Sequence, residues 1–209
     1  MERTTVIAIR HAPTYENDTY VMVGRTDPSL HDRGSLMAQS LADALLGIPF
    51  DVVLTSPLLR ARETAEHLLR GRRADAPVID RRLAEVDLGV VDGMSSFTAY
   101  ERYQVQFDAA LDQNATDFSF PEGERWSDAV MRMDAVLNDV TARHRRQTVC
   151  IVTHGALLGL WKSQLLGEPL GHFRLHQPKH ASFSVLQHTG DQWNIVRWGD
   201  AAHLQTDIR

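Results

Sequence analysis

Short, continuous apolar runs alternate along the chain with longer segments whose apolar residues recur every three or four positions. Val6-Ile7-Ala8-Ile9, Asp51-Val52-Val53-Leu54 and Val149-Cys150-Ile151-Val152 are brief and rich in β-branched residues, the pattern of strands buried on both faces. Leu36, Leu41 and Leu45 follow Arg33-Gly34 at near-helical spacing and predict a helix over 35–46. Ser56-Pro57 opens another helix, with Ser56 as N-cap and Pro57 in the first position. Residues 97–112 and 125–145 read as helices; Trp126, Val130, Met133, Val136 and Val140 mark the apolar face of the second. A further helix is predicted over roughly 156–166. Phe183–Leu186 and Trp193–Val196 flank His188-Thr189-Gly190-Asp191, which reads as a hairpin turn.

Buried strands alternating with helices predict an α/β protein, a three-layer α/β/α sandwich around a mainly parallel sheet. No repeat, low-complexity tract or linker interrupts 1–209, so the chain reads as one domain with a helical insertion over 95–147. Residues 113–124, with Pro121 and Gly123, form a loop within that insertion.

Composition narrows the classes. Of 209 residues, 43% are apolar, enough for a large core. The 22 basic and 27 acidic side chains leave a net charge of −5, which speaks against a nucleic-acid binder. The single cysteine, Cys150, allows neither an internal disulfide nor a thiolate zinc cluster and reads as a small buried hydrophobe. No apolar stretch is long enough to cross a membrane, and the first apolar run is too short for a signal-peptide core. A soluble, cytoplasmic protein without a membrane partner is expected.

Two strands end alike. Val6–Ile9 runs into Arg10-His11-Ala12, and Val149–Val152 into Thr153-His154-Gly155. Ligands of parallel sheets bind beyond the carboxyl ends of the strands. The strand over 51–54 ends in the same region and leads to Arg60, so Arg10, His11, Arg60 and His154 are expected to converge. His11 is expected at a strand end, outside the core. Guanidinium forks match phosphate oxygens, and an imidazole is a nucleophile or an acid–base group near neutrality. Together they suit phosphoryl transfer from a monoester without a metal.

Arg10-His11-Ala12-Pro13-Thr14-x-x-Asn17 resembles the Arg-His-Gly-Glu-x-x-x-Asn signature of the histidine phosphatase superfamily, the phosphoglycerate-mutase-like group. Six further segments resemble that family in order. They are Gly24–Leu30, Thr55–Ala65 with Arg60, Leu83–Gly93 with Glu85, Pro121-Glu122-Gly123-Glu124, Val152–Gly155, and Ala181–Val185. The resemblance implies that His11 forms a phosphohistidine and that Arg10 and Arg60 clamp the phosphate, with Asn17 as an added donor. It implies that His154 stabilises the transferring group and that Glu85 protonates the leaving oxygen, then activates water; Asp87 is the nearest substitute acid. Thr14, Gly24, Arg25 and Gly155 are candidate substrate contacts. No cofactor and no metal are implied, and the helical insertion follows the acid-bearing loop. Ala12, Pro13, Val91 and His180 depart from the family's usual Gly, Glu, Trp and Asn, which bears on substrate identity more than on the reaction.

His172, His176 and His180 are spaced by four, as a metal face would be, but Pro178 interrupts the helix and surface histidines are the simpler reading. The expected activity is a phosphatase acting on a small phosphorylated metabolite. A phosphoglycerate mutase and a non-catalytic phosphate-binding scaffold are the alternatives. The short stretch between Gly93 and His154 favours the phosphatase, and the intact core residues oppose the scaffold. The substrate and the choice between monomer and homodimer are not legible.

Overall fold

The computed structural model describes residues 3–72, 75–190 and 192–204. β1 (Arg3–Arg10) is followed by α1 (Tyr15–Asp18) and α2 (Asp32–Leu45). β2 (Val52–Thr55), α3 (Leu59–Leu69) and β3 (Val78–Ile79) come next. α4 (Ser96–Arg102), α5 (Gln104–Leu111) and α6 (Trp126–Arg143) precede β4 (Thr148–Thr153). α7 (Gly155–Leu166), α8 (Phe173–His176) and the hairpin of β5 (Phe183–Thr189) and β6 (Gln192–Asp200) complete the chain.

The sheet order is β3-β2-β4-β1-β5-β6. β1 to β4 run parallel, and β5 and β6 are antiparallel additions. β1 therefore lies inside the sheet, which explains its uninterrupted apolar run. Val6 and Ala8, with Val149 and Ile151 of β4, join a core beneath α6 and α7. Ile7 and Ile9, with Cys150 and Val152, join a second core beneath α2 and α3. Each Ile or Val so buried contributes about 1.5–3 kcal/mol. Cys150 is fully enclosed, and burial pushes its thiol up to about 12. Among the described residues no helix is long and apolar enough to cross a membrane.

Three local expectations are corrected. The helix over 97–112 is two helices, because Tyr103 leaves the helical region (φ −132°, ψ 40°) and caps both. Ser56 is not an N-cap: α3 starts at Leu59, after Leu58 in extended conformation, and Ser56 Oγ instead accepts from Leu58 N. His188 and Thr189 pair with Trp193 and Gln192 inside the hairpin, so the turn is tighter than four residues; Asp191 lies outside the described residues.

The register Ile9↔Val152 and Arg10↔Thr153 makes β1 and β4 end level. The residues that follow them, His11 and His154, thus emerge side by side at one edge of the sheet.

Candidate active site

The His11 and His154 rings lie 5.0 Å apart, centroid to centroid, and His180 stands 5.2 Å from His11 on the other side. His11 is only 3% exposed, which corrects its placement outside the core: the two neighbouring imidazoles close over it. His11 Nδ1 is 2.7 Å from Ala12 O. A carbonyl only accepts, so in the neutral ring Nδ1 carries the proton and Nε2 keeps its lone pair. Burial first, then Arg60 and Arg10, hold His11 well below the usual imidazole range. Burial and neighbouring cations do the same to His154 and His180. All three rings are accordingly neutral at pH 7.

Arg60 is fully buried. Its Nη1 donates to Thr26 O at 2.9 Å and its Nη2 to Gly24 O at 2.8 Å. Those carbonyls are aimed by Asp92, whose carboxylate accepts from the backbone N–H of Gly24, Arg25 and Thr26 and from the Thr26 hydroxyl. Against the upward pull of burial, these bonds keep Asp92 below the usual carboxylate range. Arg10 Nη1 donates to Pro178 O at 2.7 Å, and its Nη2 lies 2.7 Å from His180 Nε2. Burial lowers the Arg10 guanidinium to about 10, with Glu85 opposing the shift. Gly155 makes room for it: a Cβ there would sit 2.7 Å from Arg10 Cζ and 2.6 Å from Gln177 Nε2.

Three nitrogens around His11 are buried without a partner: Arg10 Nε, Arg60 Nε and His154 Nδ1. Buried polar atoms are normally satisfied, and unpartnered nitrogens on neighbouring residues match an anion. The other nitrogen of His154, Nε2, lies 2.7 Å from Ser56 Oγ.

Glu85 is buried at the start of α7. Its Oε1 accepts from Val86 N and Leu157 N, and its Oε2 from Ala156 N. The helix N-terminus thus orients this carboxylate. Arg132 fixes the preceding loop by donating to Ala84 O while its Nε pairs with Glu124 at 2.7 Å. Thr153 Oγ1 donates to Leu83 O, tying the same loop to β4. Asp87 is turned elsewhere, toward Gly89 N and Arg25.

A cavity of about 340 Å³ opens onto Arg10, His11, Asn17 and Glu85. Of the expected substrate contacts, Asn17 lines it, and Asn17 Oδ1 accepts from Thr14 N and Thr14 Oγ1. Thr14 is fully buried behind it. Gly24 holds Arg60 through its carbonyl. Arg25 lies 3.6 Å from Glu124 and does not line the cavity.

His180 is the main residue that the sequence reading misplaced. It stands against Arg10 and His11, not on the surface, because Pro178 ends the helix and Ala181 adopts φ 52°, turning the chain inward. Its one signal was its position, where the resembled family carries Asn. His172 and His176 are part-exposed and both face Glu168. Among the described residues no group of three side chains is arranged to hold a metal. Arg132 and Gln177 carried no signal in the sequence, and Ser56 was read there only as a helix cap within the Thr55–Ala65 segment.

Comparison with known proteins finds relatives over nearly the whole chain. A family model described as histidine phosphatase superfamily (branch 1) matches residues 6–201. A probable phosphoglycerate mutase of Proteus mirabilis, GpmB, is 29% identical over 208 residues, covering 97% of this chain and 95% of its own length. Phosphoserine phosphatase 1 of Hydrogenobacter thermophilus is 29% identical over 191 residues, covering 91% and 89%. The solved structure of Bacillus stearothermophilus YhfR superposes with a TM-score of 0.90 at 28% identity, over 97% of this chain and all of that one.

Proposed function

The chain belongs to the histidine phosphatase superfamily (branch 1), and on that footing we propose that it hydrolyses a small phosphomonoester through a phosphohistidine on His11, without a metal. The observation that carries this reading is the pairing of a free His11 Nε2 with three unpartnered nitrogens of Arg10, Arg60 and His154. An attacking lone pair and nitrogens able to hold phosphoryl oxygens thus belong to neighbouring residues.

In this mechanism His11 Nε2 attacks phosphorus in line, and the ester oxygen departs with a proton from Glu85. Arg10 Nε and Arg60 Nε bind the equatorial oxygens, whose charge the fixed guanidiniums stabilise without reorganisation. In this mechanism the Ser56 hydroxyl donates to His154 Nε2, 2.7 Å away, and His154 presents Nδ1–H to the phosphoryl group. Asn17 supplies an amide donor at the cavity wall. Glu85, now a carboxylate, takes a proton from the water that cleaves the phosphohistidine and returns His11 to its starting state.

A phosphatase is favoured over a mutase because the wall beyond Glu85 is mostly hydrocarbon, a poor match for the small hydroxylated body of a phosphoglycerate. The test is a labelled phosphomonoester quenched during turnover. An acid-labile, alkali-stable label should appear on His11, be absent from His11→Ala, and persist with EDTA. Labelling of the His11→Ala protein, or its loss on chelation, would overturn the reading. Interconversion of phosphoglycerates, dependent on 2,3-bisphosphoglycerate, would identify a mutase.

A further inference from the structure

The cavity beside the imidazoles has two unlike parts. One end carries Arg10, His11 and Glu85. The walls beyond are aromatic: Phe107 packs 5.2 Å from Phe120, and Trp126 packs 5.0 Å from Phe173. These rings brace each other into a preformed apolar surface of the kind that binds hydrocarbon groups.

Arg174 breaks that pattern. It lines the same cavity, with part of the residue open to solvent and its guanidinium partly enclosed. Its Cζ lies 4.6 Å over the Phe173 ring, and its Nη1 donates to Ala110 O. Arg25, Arg82, Arg125 and Arg132 all pair with carboxylates. Arg174 pairs with none among the described residues, and burial lowers its guanidinium with no acidic neighbour to compensate. Its Nε and Nη2 remain as parallel donors, the fork that a carboxylate fits.

We propose that the substrate is an amphiphilic phosphomonoester carrying an apolar ring-sized body and a distal carboxylate. The phosphate sits at His11, the body lies against Phe107, Phe120 and Trp126, and the carboxylate pairs with Arg174. This rests on the phosphatase reading, which sets the phosphorus at His11. A polyhydroxylated sugar would instead turn its hydroxyls toward hydrocarbon and lose their hydrogen bonds.

The test compares four esters: phenyl phosphate, 3-(4-phosphonooxyphenyl)propanoate, glucose 6-phosphate and glycerol 3-phosphate. kcat/KM is measured on the active protein, and affinity by calorimetry on His11→Ala. Both measurements should rank the two aryl esters at least about tenfold above the sugar ester, with the carboxylated ester about tenfold above phenyl phosphate, the usual worth of a charge-assisted contact. Arg174→Gln should erase that last ratio. A preference for glucose 6-phosphate or glycerol 3-phosphate overturns the proposal, as does an unchanged carboxylate ratio in Arg174→Gln. Selective aryl binding with no phosphate release from any ester would uphold the pocket and overturn the phosphatase reading alone.

Discussion

In the proposed mechanism, Glu85 can be separated from the residues assigned to phosphate binding by changing the leaving group. A sugar alkoxide needs a proton as its bond to phosphorus breaks, whereas p-nitrophenolate leaves as a stable anion. General acid–base catalysis is worth about 10²–10⁴-fold, so Glu85→Gln should slow phosphohistidine formation from an alkyl ester by about that factor. The burst from p-nitrophenyl phosphate should be nearly preserved, and phosphoenzyme should then accumulate because its hydrolysis has lost the base. Rapid-quench measurement of both bursts decides the matter; equal slowing would mean that Glu85 only shapes the pocket. Asp87→Asn should show no leaving-group dependence, since Asp87 faces Arg25 and Gly89 N and not the cavity. His11→Ala, read from the sequence as a change outside the core, removes a side chain that is 3% exposed. It also removes one of three neutral rings crowded among cations, so its stability change is the difference between lost packing and relieved desolvation.

At the level of elements, the start of α7 does two things: its N–H groups hold Glu85, and its first residue lets Arg10 pass. In Gly155→Ala the new Cβ would meet side-chain ends, Arg10 Cζ and Gln177 Nε2, and not backbone. The fold should therefore survive while the guanidinium moves. A misplacement of about 1 Å costs on the order of 10² in rate, so kcat/KM should fall by about that factor with little change in the denaturation midpoint. Equal loss of activity and stability would assign Gly155 to packing alone. The longer helices and every strand but β3 were legible because burial on two faces, or on one stripe, writes itself into spacing; the two exposed residues of β3 at the sheet edge leave no such mark. The two histidines were legible because both follow such strands. The break at Tyr103 was not, since no proline or glycine marks it and the periodicity continues through it. Nor was His180, whose inward turn depends on a positive φ at Ala181 that an alanine does not advertise. Arg132 and Ser56 act through partners far away in the chain, and local patterning carries no trace of such contacts.

For the molecule as a whole, His11, His154 and His180 make stability depend on pH. Each is held neutral, well below its ordinary range, chiefly by burial. In the unfolded chain these rings take up protons from about pH 6.5. Stability is thus complete above that pH and is lost as pH falls toward the lower values of the folded protein, by up to about 1.4 kcal/mol per pH unit for each ring. Chemical denaturation between pH 7 and pH 5 should show the fall, and His180→Asn should reduce its slope; an unchanged slope would mean that His180 is charged in the folded protein. A different consequence follows from the reach of Arg10 to Pro178, 168 residues further along the chain. β1 leaves the ribosome well before β4 and β5, the strands that flank it in the sheet. At about 5–20 residues per second, that apolar strand waits on the order of ten seconds for its neighbours. Until those strands are made Val6–Ile9 lacks both of its neighbours, and Arg10 and His11 can take their places only once β4 and the Pro178–His180 segment have been synthesised.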